Sequence, residues 1–108
     1  MNEDKRILWE ILVPRFSNDG KEFSIEFHRK WDEKVRKISG GLTVLKPAKG
    51  QWIKPNEELM IEDMIPVKIY CTEKEIDEII NYTLDYYSQD SIFAYKVSDN
   101  VKLVHKKE

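Results

Sequence analysis

Two segments with helical periodicity each lie between segments with strand periodicity, and this order constrains the fold more than any other feature of the sequence. In both segments, apolar side chains recur every three or four residues, as on the buried face of an amphipathic helix. In the first segment, residues 24–39, they are Phe27, Trp31, Val35 and Ile38. In the second they are Ile76, Ile79, Ile80, Leu84 and Tyr87. Both segments are therefore predicted to be helices with one buried face.

The segments that precede and separate the helices are typical of strands. Residues 7–13 alternate with period two, and Pro14 is expected to end this strand because proline lacks the amide hydrogen that a central strand needs. Residues 42–45 and 51–53 are predicted to form one strand with a kink or bulge at Pro47 and Gly50.

Three more strand predictions follow the polar loop at residues 54–58. Residues 59–71 alternate in their second half, but Pro66 does not fit inside a central strand. A bulge is expected at this proline, or a paired strand that begins after it. Residues 91–97 are predicted as the next strand, and residues 101–105 as a short additional one.

Residues that satisfy free backbone groups mark the ends of both helices. Thr72 and Glu75 form a capping box, in which each side chain can accept a hydrogen bond from the other residue's amide. Gly40 and Gly41 follow the first helix, so they are expected to end it rather than to cradle a phosphate. The order strand–helix–strand, repeated once, predicts a single ferredoxin-like βαββαβ domain over residues 1–108. This α+β fold has an antiparallel sheet with both helices on one face.

Composition and charge favour a folded protein of a reducing compartment. The single cysteine, Cys71, cannot form an internal disulfide, and the short apolar run near the N-terminus is broken by Glu10. We therefore expect a cytoplasmic location and no membrane association. The first 54 residues carry 12 basic and 8 acidic side chains and the remainder 6 and 12. This asymmetry is typical either of two halves that neutralise each other or of a nucleic-acid surface, and the negative total favours the former.

The sheet face opposite the helices is expected to be partly apolar. The first strand is apolar on both of its faces apart from Glu10, and large apolar patches rarely stay exposed. A homodimer through this open sheet face is therefore predicted. The alternative is that an extra strand, the C-terminal tail or the long hairpin folds over the patch.

The sequence contains no strong catalytic signature and no pattern that calls for a cofactor or metal. Cys71 alternates with apolar residues and is expected to be buried and inert. Trp52 follows a predicted kink and has lysines on both sides, so it can stack against a ligand ring, or serve instead as an interface anchor. The predicted ligand-binding residues are Arg15, Lys49, Gln51, Trp52 and Lys54.

The stretch 41–45, Gly-Leu-Thr-Val-Leu, followed by Gly-Gln-Trp at 50–52, resembles the core of an uncharacterised bacterial family of domain-of-unknown-function proteins. The resemblance extends over residues 40–93, and its later matching residues are Ile76, Ile79, Tyr87, Gln89, Ser91 and Ile92. It implies a ferredoxin-like domain and no particular reaction.

These observations predict a non-catalytic binding or interaction module for a partner protein or a small ligand. The glycine–aromatic motifs of an RNA-recognition module are missing, which argues against nucleic acid. The alternative function is that of a small cofactor-free enzyme of the dimeric ferredoxin-like type. Such an enzyme is expected to enclose a cavity between sheet and helices, lined by a polar group such as His28 or Tyr82.

Overall fold

Two helices alternate with strands as predicted, but the strand predicted with a kink between residues 42 and 53 is divided into two strands. The computed structural model describes residues 5–107 and contains β1 (Arg6–Pro14), α1 (Ile25–Ser39), β2 (Thr43–Val44), β3 (Ala48–Ile53), β4 (Leu59–Thr72), α2 (Glu73–Tyr86) and β5 (Ala94–Ser98). The strands form an antiparallel sheet in which β4 and β1 are central, β5 lies beside β1, and β2 and β3 both pair with β4. The ferredoxin-like α+β fold is confirmed.

The core lies between the two helices and one face of the sheet. Strand alternation directs every second residue of β1 and β4 toward the helices, and the periodic stripes of α1 and α2 meet them. The buried cluster consists of Ile11, Val13, Trp31, Val35, Val67, Ile69, Cys71, Ile76, Ile79 and Tyr87. Within residues 5–107, neither helix is long and apolar enough to cross a membrane.

The predicted helix ends are also confirmed. Gly40 has a φ of 94° and donates its amide to the Arg36 carbonyl over 2.8 Å, which closes the last turn of α1. A residue with a side chain would be strained in this left-handed conformation. Thr72 and Glu75 form both hydrogen bonds of the capping box, at 3.1 and 2.9 Å.

Pro66 causes neither a bulge nor a break in its strand, contrary to the prediction from sequence. It lies inside the continuous strand β4, opposite Leu12 of β1. Its carbonyl accepts a hydrogen bond from the Leu45 amide at 2.9 Å, on the side where β2 and β3 pair. The missing amide hydrogen of Pro66 therefore faces the break between β2 and β3, where the chain kinks at Leu45–Pro47 and the ladder needs no donor.

The prediction of a strand at residues 101–105 was wrong. Within the described part of the chain, residues 99–107 join no strand and no helix. The last strand, β5, ends at Ser98 opposite Leu8 of β1. The tail therefore leaves the sheet at the end that is remote from the β3–β4 hairpin.

The β3–β4 hairpin projects beyond the layer of helices. The molecule measures 55 × 30 × 22 Å, and β1 pairs with β4 only from Met64 onward, so residues 59–63 pair with β3 alone. On the helix side of the sheet, Ile65 still packs against the core, whereas Ile61 and Leu59, further along the hairpin, are exposed. The hairpin is thus a two-stranded ribbon with two accessible faces.

Candidate functional site

A groove of about 650 Å³ opens on the sheet face opposite the helices, where the β3–β4 hairpin leaves the sheet. Its walls come from the end of β1, the loop after it, the hairpin and the segment that leads into β5. The lining residues are Leu12, Pro14, Phe16, Ser17, Asn18, Gly20, Trp52, Met60, Ile61, Glu62, Asp63, Met64, Gln89, Asp90, Ser91, Ile92 and Phe93. A cavity of this size matches the volume of pockets for small organic ligands.

Trp52 forms one wall of the groove because of the hairpin register. Trp52 lies opposite Met60, and Gly50 lies opposite Glu62, so all four residues share the open face of the sheet. The indole Nε1 of Trp52 donates a hydrogen bond to Glu62 Oε2 at 3.2 Å. This contact fixes the orientation of a ring that is still 38% exposed.

A row of aromatic rings continues from Trp52 along the open face. The Phe93 ring lies edge-on to Trp52 with 6.0 Å between centroids, and Tyr95 follows Phe93 at 5.5 Å. The Tyr95 hydroxyl donates a hydrogen bond to the carboxylate of Glu10. This hydrogen bond stabilises the protonated phenol and raises the pKa of Tyr95.

The groove has an acidic character. Among the residues that line it in the described chain, the charged ones are Glu62, Asp63 and Asp90, and none is Lys, Arg or His. Glu62 shares the face of Trp52, whereas Asp63 pairs with Lys49 on the other face. The remaining lining is apolar, aromatic or neutral and polar. The groove therefore offers ring-stacking surfaces and negative charge, but no cation for a phosphate.

Hydrogen bonds attach the two irregular segments of the groove to each other and to the sheet. Asn18 Nδ2 donates to the Ser88 carbonyl at 3.1 Å, and Gln89 Nε2 donates to the Tyr87 carbonyl at 3.0 Å. The Leu12 amide donates to the Phe93 carbonyl at 3.0 Å. These contacts position residues 16–20 and 89–93 against the end of β1.

The structure separates the five predicted ligand-binding residues. Trp52 lines the groove, but Lys49 and Gln51 alternate with it on β3 and face the other side of the sheet. Lys54 lies in the hairpin turn, where its amide donates to the Glu58 carbonyl at 2.9 Å. Arg15 lies outside the groove lining and pairs with Glu22 at 3.0 Å between Nε and Oε2.

Sequence reasoning missed Glu62 and Phe93 as neighbours of Trp52. The position of Glu62 could have been predicted, because a hairpin that turns at residues 54–58 pairs Ile53 with Leu59 and hence Gly50 with Glu62. No pattern in the sequence predicts that Phe93 contacts Trp52. It comes close to Trp52 only through the order of the strands in the sheet, which local sequence does not specify.

A second cavity of about 410 Å³ lies beside the N-terminus of α1 and is lined in part by Arg15 and His28. His28 Nδ1 is 2.6 Å from the Tyr87 hydroxyl, whose ring is buried in the core. Burial is the main influence on His28 and lowers its pKa, against Asp32 and Glu22, which raise it. Trp31 and Tyr87 fill the space between sheet and helices, and His28 is half-buried at the edge of this core.

We expect the stability of the protein to fall as the pH drops below 6.5, in part because of His28. The unfolded chain then takes up a proton at the ordinary imidazole pKa of 6.5, whereas the folded chain, with its lowered pKa, takes it up only at a lower pH. His28→Gln keeps an acceptor for the Tyr87 hydroxyl but cannot titrate. Urea unfolding between about pH 7 and 5 should therefore give a flatter curve for this variant.

Asp32 contributes to the stability of the protein with the opposite pH dependence. Burial raises the pKa of Asp32 above 3.8, so the folded chain takes up this proton first, which favours the folded state as the pH falls. The comparison of wild type with His28→Gln isolates the histidine. The prediction would be contradicted if the free energy of unfolding changed equally with pH in the wild type and in His28→Gln.

Cys71 is buried, as predicted, and burial raises the pKa of its thiol to about 12. A thiol in this state is a poor nucleophile. Within residues 5–107, no group of three or more His, Cys, Asp or Glu side chains is arranged to hold a metal ion. The groove on the open face is thus the best-formed candidate site of the described chain.

Comparison with solved structures reveals the same fold in proteins with little sequence identity. A phage SAM lyase in complex with S-methyl-5′-thioadenosine is 14% identical, with a TM-score of 0.67 over 91% of this chain and 84% of that chain. The periplasmic divalent cation tolerance protein CutA from Archaeoglobus fulgidus is 10% identical, with a TM-score of 0.67 over 91% and 87%. CutA from Xylella fastidiosa is 12% identical, with a TM-score of 0.68 over 92% and 88%. At these identities the likeness shows the fold alone.

No family model and no curated protein sequence matches the chain. The resemblance of residues 41–52 to an uncharacterised bacterial family therefore stays a prediction. The fold that this resemblance implies is the one observed.

Proposed function

We propose that the chain binds a small aromatic molecule without net negative charge in the groove on its open sheet face. The observation that carries this proposal is the combination of the Trp52 and Phe93 rings with acidic residues and no basic residue in the described lining. A ring held by Trp52 and Phe93 gains stacking energy. A phosphate would be repelled by the carboxylates of Glu62 and Asp90, so a nucleotide fits less well than a nucleoside.

One structural neighbour supports a nucleoside-like ligand. The phage SAM lyase was solved with S-methyl-5′-thioadenosine, which joins an adenine ring to a ribose and an uncharged thioether. A ligand of this kind has the flat ring and the absence of phosphate that the groove requires. It is therefore the probe of choice.

S-Methyl-5′-thioadenosine is expected to bind to the full chain, and Trp52→Ala is expected to weaken this binding about tenfold or more. Loss of stacking on one aromatic ring is worth about 1–3 kcal/mol. Isothermal titration calorimetry measures both affinities, and adenosine monophosphate serves as the phosphate-bearing comparison ligand.

Gln51→Ala is the matched control, because Gln51 is adjacent on β3 but faces the other side of the sheet. Its affinity should equal that of the wild type. The proposal fails if Trp52→Ala and Gln51→Ala bind the probe alike, or if adenosine monophosphate binds more tightly than the thioether.

A second candidate function is cofactor-free catalysis on a sulfonium relative of this ligand. Two observations favour it: a neighbour that is a SAM lyase, and the hydrogen-bonded pair of Glu10 and Tyr95 at the end of the aromatic row. A carboxylate that removes a proton from the carbon next to the carbon–sulfur bond leaves the C–H electron pair to form a carbon–carbon double bond. The electron pair of the broken carbon–sulfur bond goes to sulfur, and a neutral thioether and an alkene are released. Chromatography of S-adenosylmethionine incubated with the chain, and with Glu10→Gln, tests this function by the appearance of S-methyl-5′-thioadenosine.

We further propose that the chain forms a homodimer through the part of the open face away from the groove. Leu8, Tyr70 and Val97 lie at that end of the sheet, and Val97 is well exposed. A sedimentation experiment that finds only monomer at tens of micromolar would contradict the dimer.

Buried Cys71 is consistent with the proposed cytoplasmic location, because a reducing compartment preserves a free thiol.

A further inference from the structure

The C-terminal tail, residues 99–107, exposes apolar side chains that its own domain does not cover. Leu103 and Val104 are 70% and 81% exposed, although the sequence Val-Lys-Leu-Val-His around them is typical of a strand. Within the described chain, this segment pairs with no strand. A segment with strand propensity and exposed apolar residues is suited to pairing with the edge of another sheet.

The β3–β4 hairpin presents a surface that matches this tail. Its register places Ile53, Leu59 and Ile61 on the face opposite Trp52, beyond the helices, and all three are exposed. In the described chain β3 pairs only with β4, so the outer edge of β3 offers unpaired backbone groups.

The charges of the two surfaces are complementary. The hairpin, residues 48–63, carries four acidic side chains against Lys49 and Lys54, and the acidic ones are Glu57, Glu58, Glu62 and Asp63. The tail, residues 99–107, carries Lys102, Lys106 and Lys107 against Asp99. Opposite charges on two apolar surfaces favour their association and set its direction.

A chain cannot bring its own tail onto its own hairpin. Leu8 lies between Ser98, where the tail begins, and Tyr70 of β4. Along β4, the nine residues from Tyr70 to Ile61 span about 30 Å, whereas the five residues from Ser98 to Leu103 reach about 17 Å at most. The tail and the hairpin thus lie toward opposite ends of a molecule 55 Å long.

We propose that the C-terminal tail of one copy binds the β3–β4 hairpin of a second copy, with Leu103 and Val104 against Ile53, Leu59 and Ile61. Two copies placed side by side in opposite directions form this contact twice. A closed ring of copies forms it once for each copy. The contact uses the helix-side face of the hairpin, and the side chains of Trp52 and Met60 lie on the other face. Of the contact residues, Ile61 also borders the groove.

Cross-linking between two different variants tests the contact directly. Ile61→Cys and Leu103→Cys are purified separately, mixed as full chains and treated with a short bismaleimide, while native Cys71 stays buried. The mixture should give a cross-linked pair in much higher yield than Ile25→Cys mixed with Leu103→Cys. Ile25 is the matched control because it is 58% exposed on α1, against 55% for Ile61. Equal yields in the two mixtures would overturn the proposal.

Association strength provides the second measurement. Ile61→Lys places a positive charge opposite a positive tail, so we expect it to weaken self-association tenfold or more in sedimentation velocity experiments. Ile25→Lys should leave association unchanged. A chain that stays monomeric at tens of micromolar, or an oligomer that Ile61→Lys does not weaken, would overturn the proposal. The latter result would leave a dimer through the open sheet face intact.

Discussion

Trp31→Ala is expected to lower the free energy of unfolding by about 3–5 kcal/mol, the usual cost of removing a large aromatic side chain from a core. Trp31 is 1% exposed and lies between α2 and the sheet, with its ring 6.2 Å from that of Tyr87. Its Nε1 also donates a hydrogen bond to Thr83 Oγ1 at 2.9 Å. The variant loses this bond and leaves a cavity that neighbouring side chains fill only in part.

Trp52→Ala is the matched control, because the same atoms are removed from a ring that is 38% exposed. We expect it to cost about 1 kcal/mol or less, as for other surface substitutions. Chemical denaturation of the two variants gives both values. If both variants lost a similar amount of unfolding free energy, α1 would not be held to the sheet through Trp31.

Gly50→Val is expected to raise the dissociation constant for the ligand in the groove at least tenfold, while the domain stays folded. A Cβ atom at this position would lie 2.6 Å from Met64 Cε and 3.1 Å from Trp52 Cζ2 and Nε1. The Met64 side chain is flexible and can move aside. The Trp52 ring is held by Glu62 and must be displaced from the wall of the groove.

The fold should tolerate this change because valine is favoured in strands and Gly50 has no left-handed backbone conformation to preserve. Gln51→Val is the control, since it adds the same side chain one residue further along β3, on the opposite face. Calorimetry with S-methyl-5′-thioadenosine and a thermal unfolding curve are recorded for both variants. Unchanged affinity in Gly50→Val would show that the ligand does not contact the Trp52 wall.

Local sequence was enough to predict both helices and the residues that cap them. The stripe of α1, the capping box at Thr72 and the left-handed Gly40 are governed by interactions within a few residues, and these are visible in the sequence. The prediction for Pro66 failed for the opposite reason. Whether a strand tolerates proline depends on which neighbouring strand faces the missing amide, and this was decided by the kink between β2 and β3.

The candidate site shows the same division. Trp52 was found from its setting in the sequence, but the nearby lysines were assigned to the same surface by proximity along the chain. Alternation along β3 sends Lys49 and Gln51 to the other face of the sheet, and pairing in three dimensions replaces them with Glu62 and Phe93. The lysine-flanked surface predicted around Trp52 thus becomes an acidic groove.

The sequence by itself determined both helices, the residues that cap them and their buried stripes, because these depend on periodicity and on contacts between near neighbours. Only the tertiary structure decided which charges surround Trp52 and how far the tail lies from the hairpin. Both depend on strand order and register, which bring together residues more than 30 positions apart in the chain.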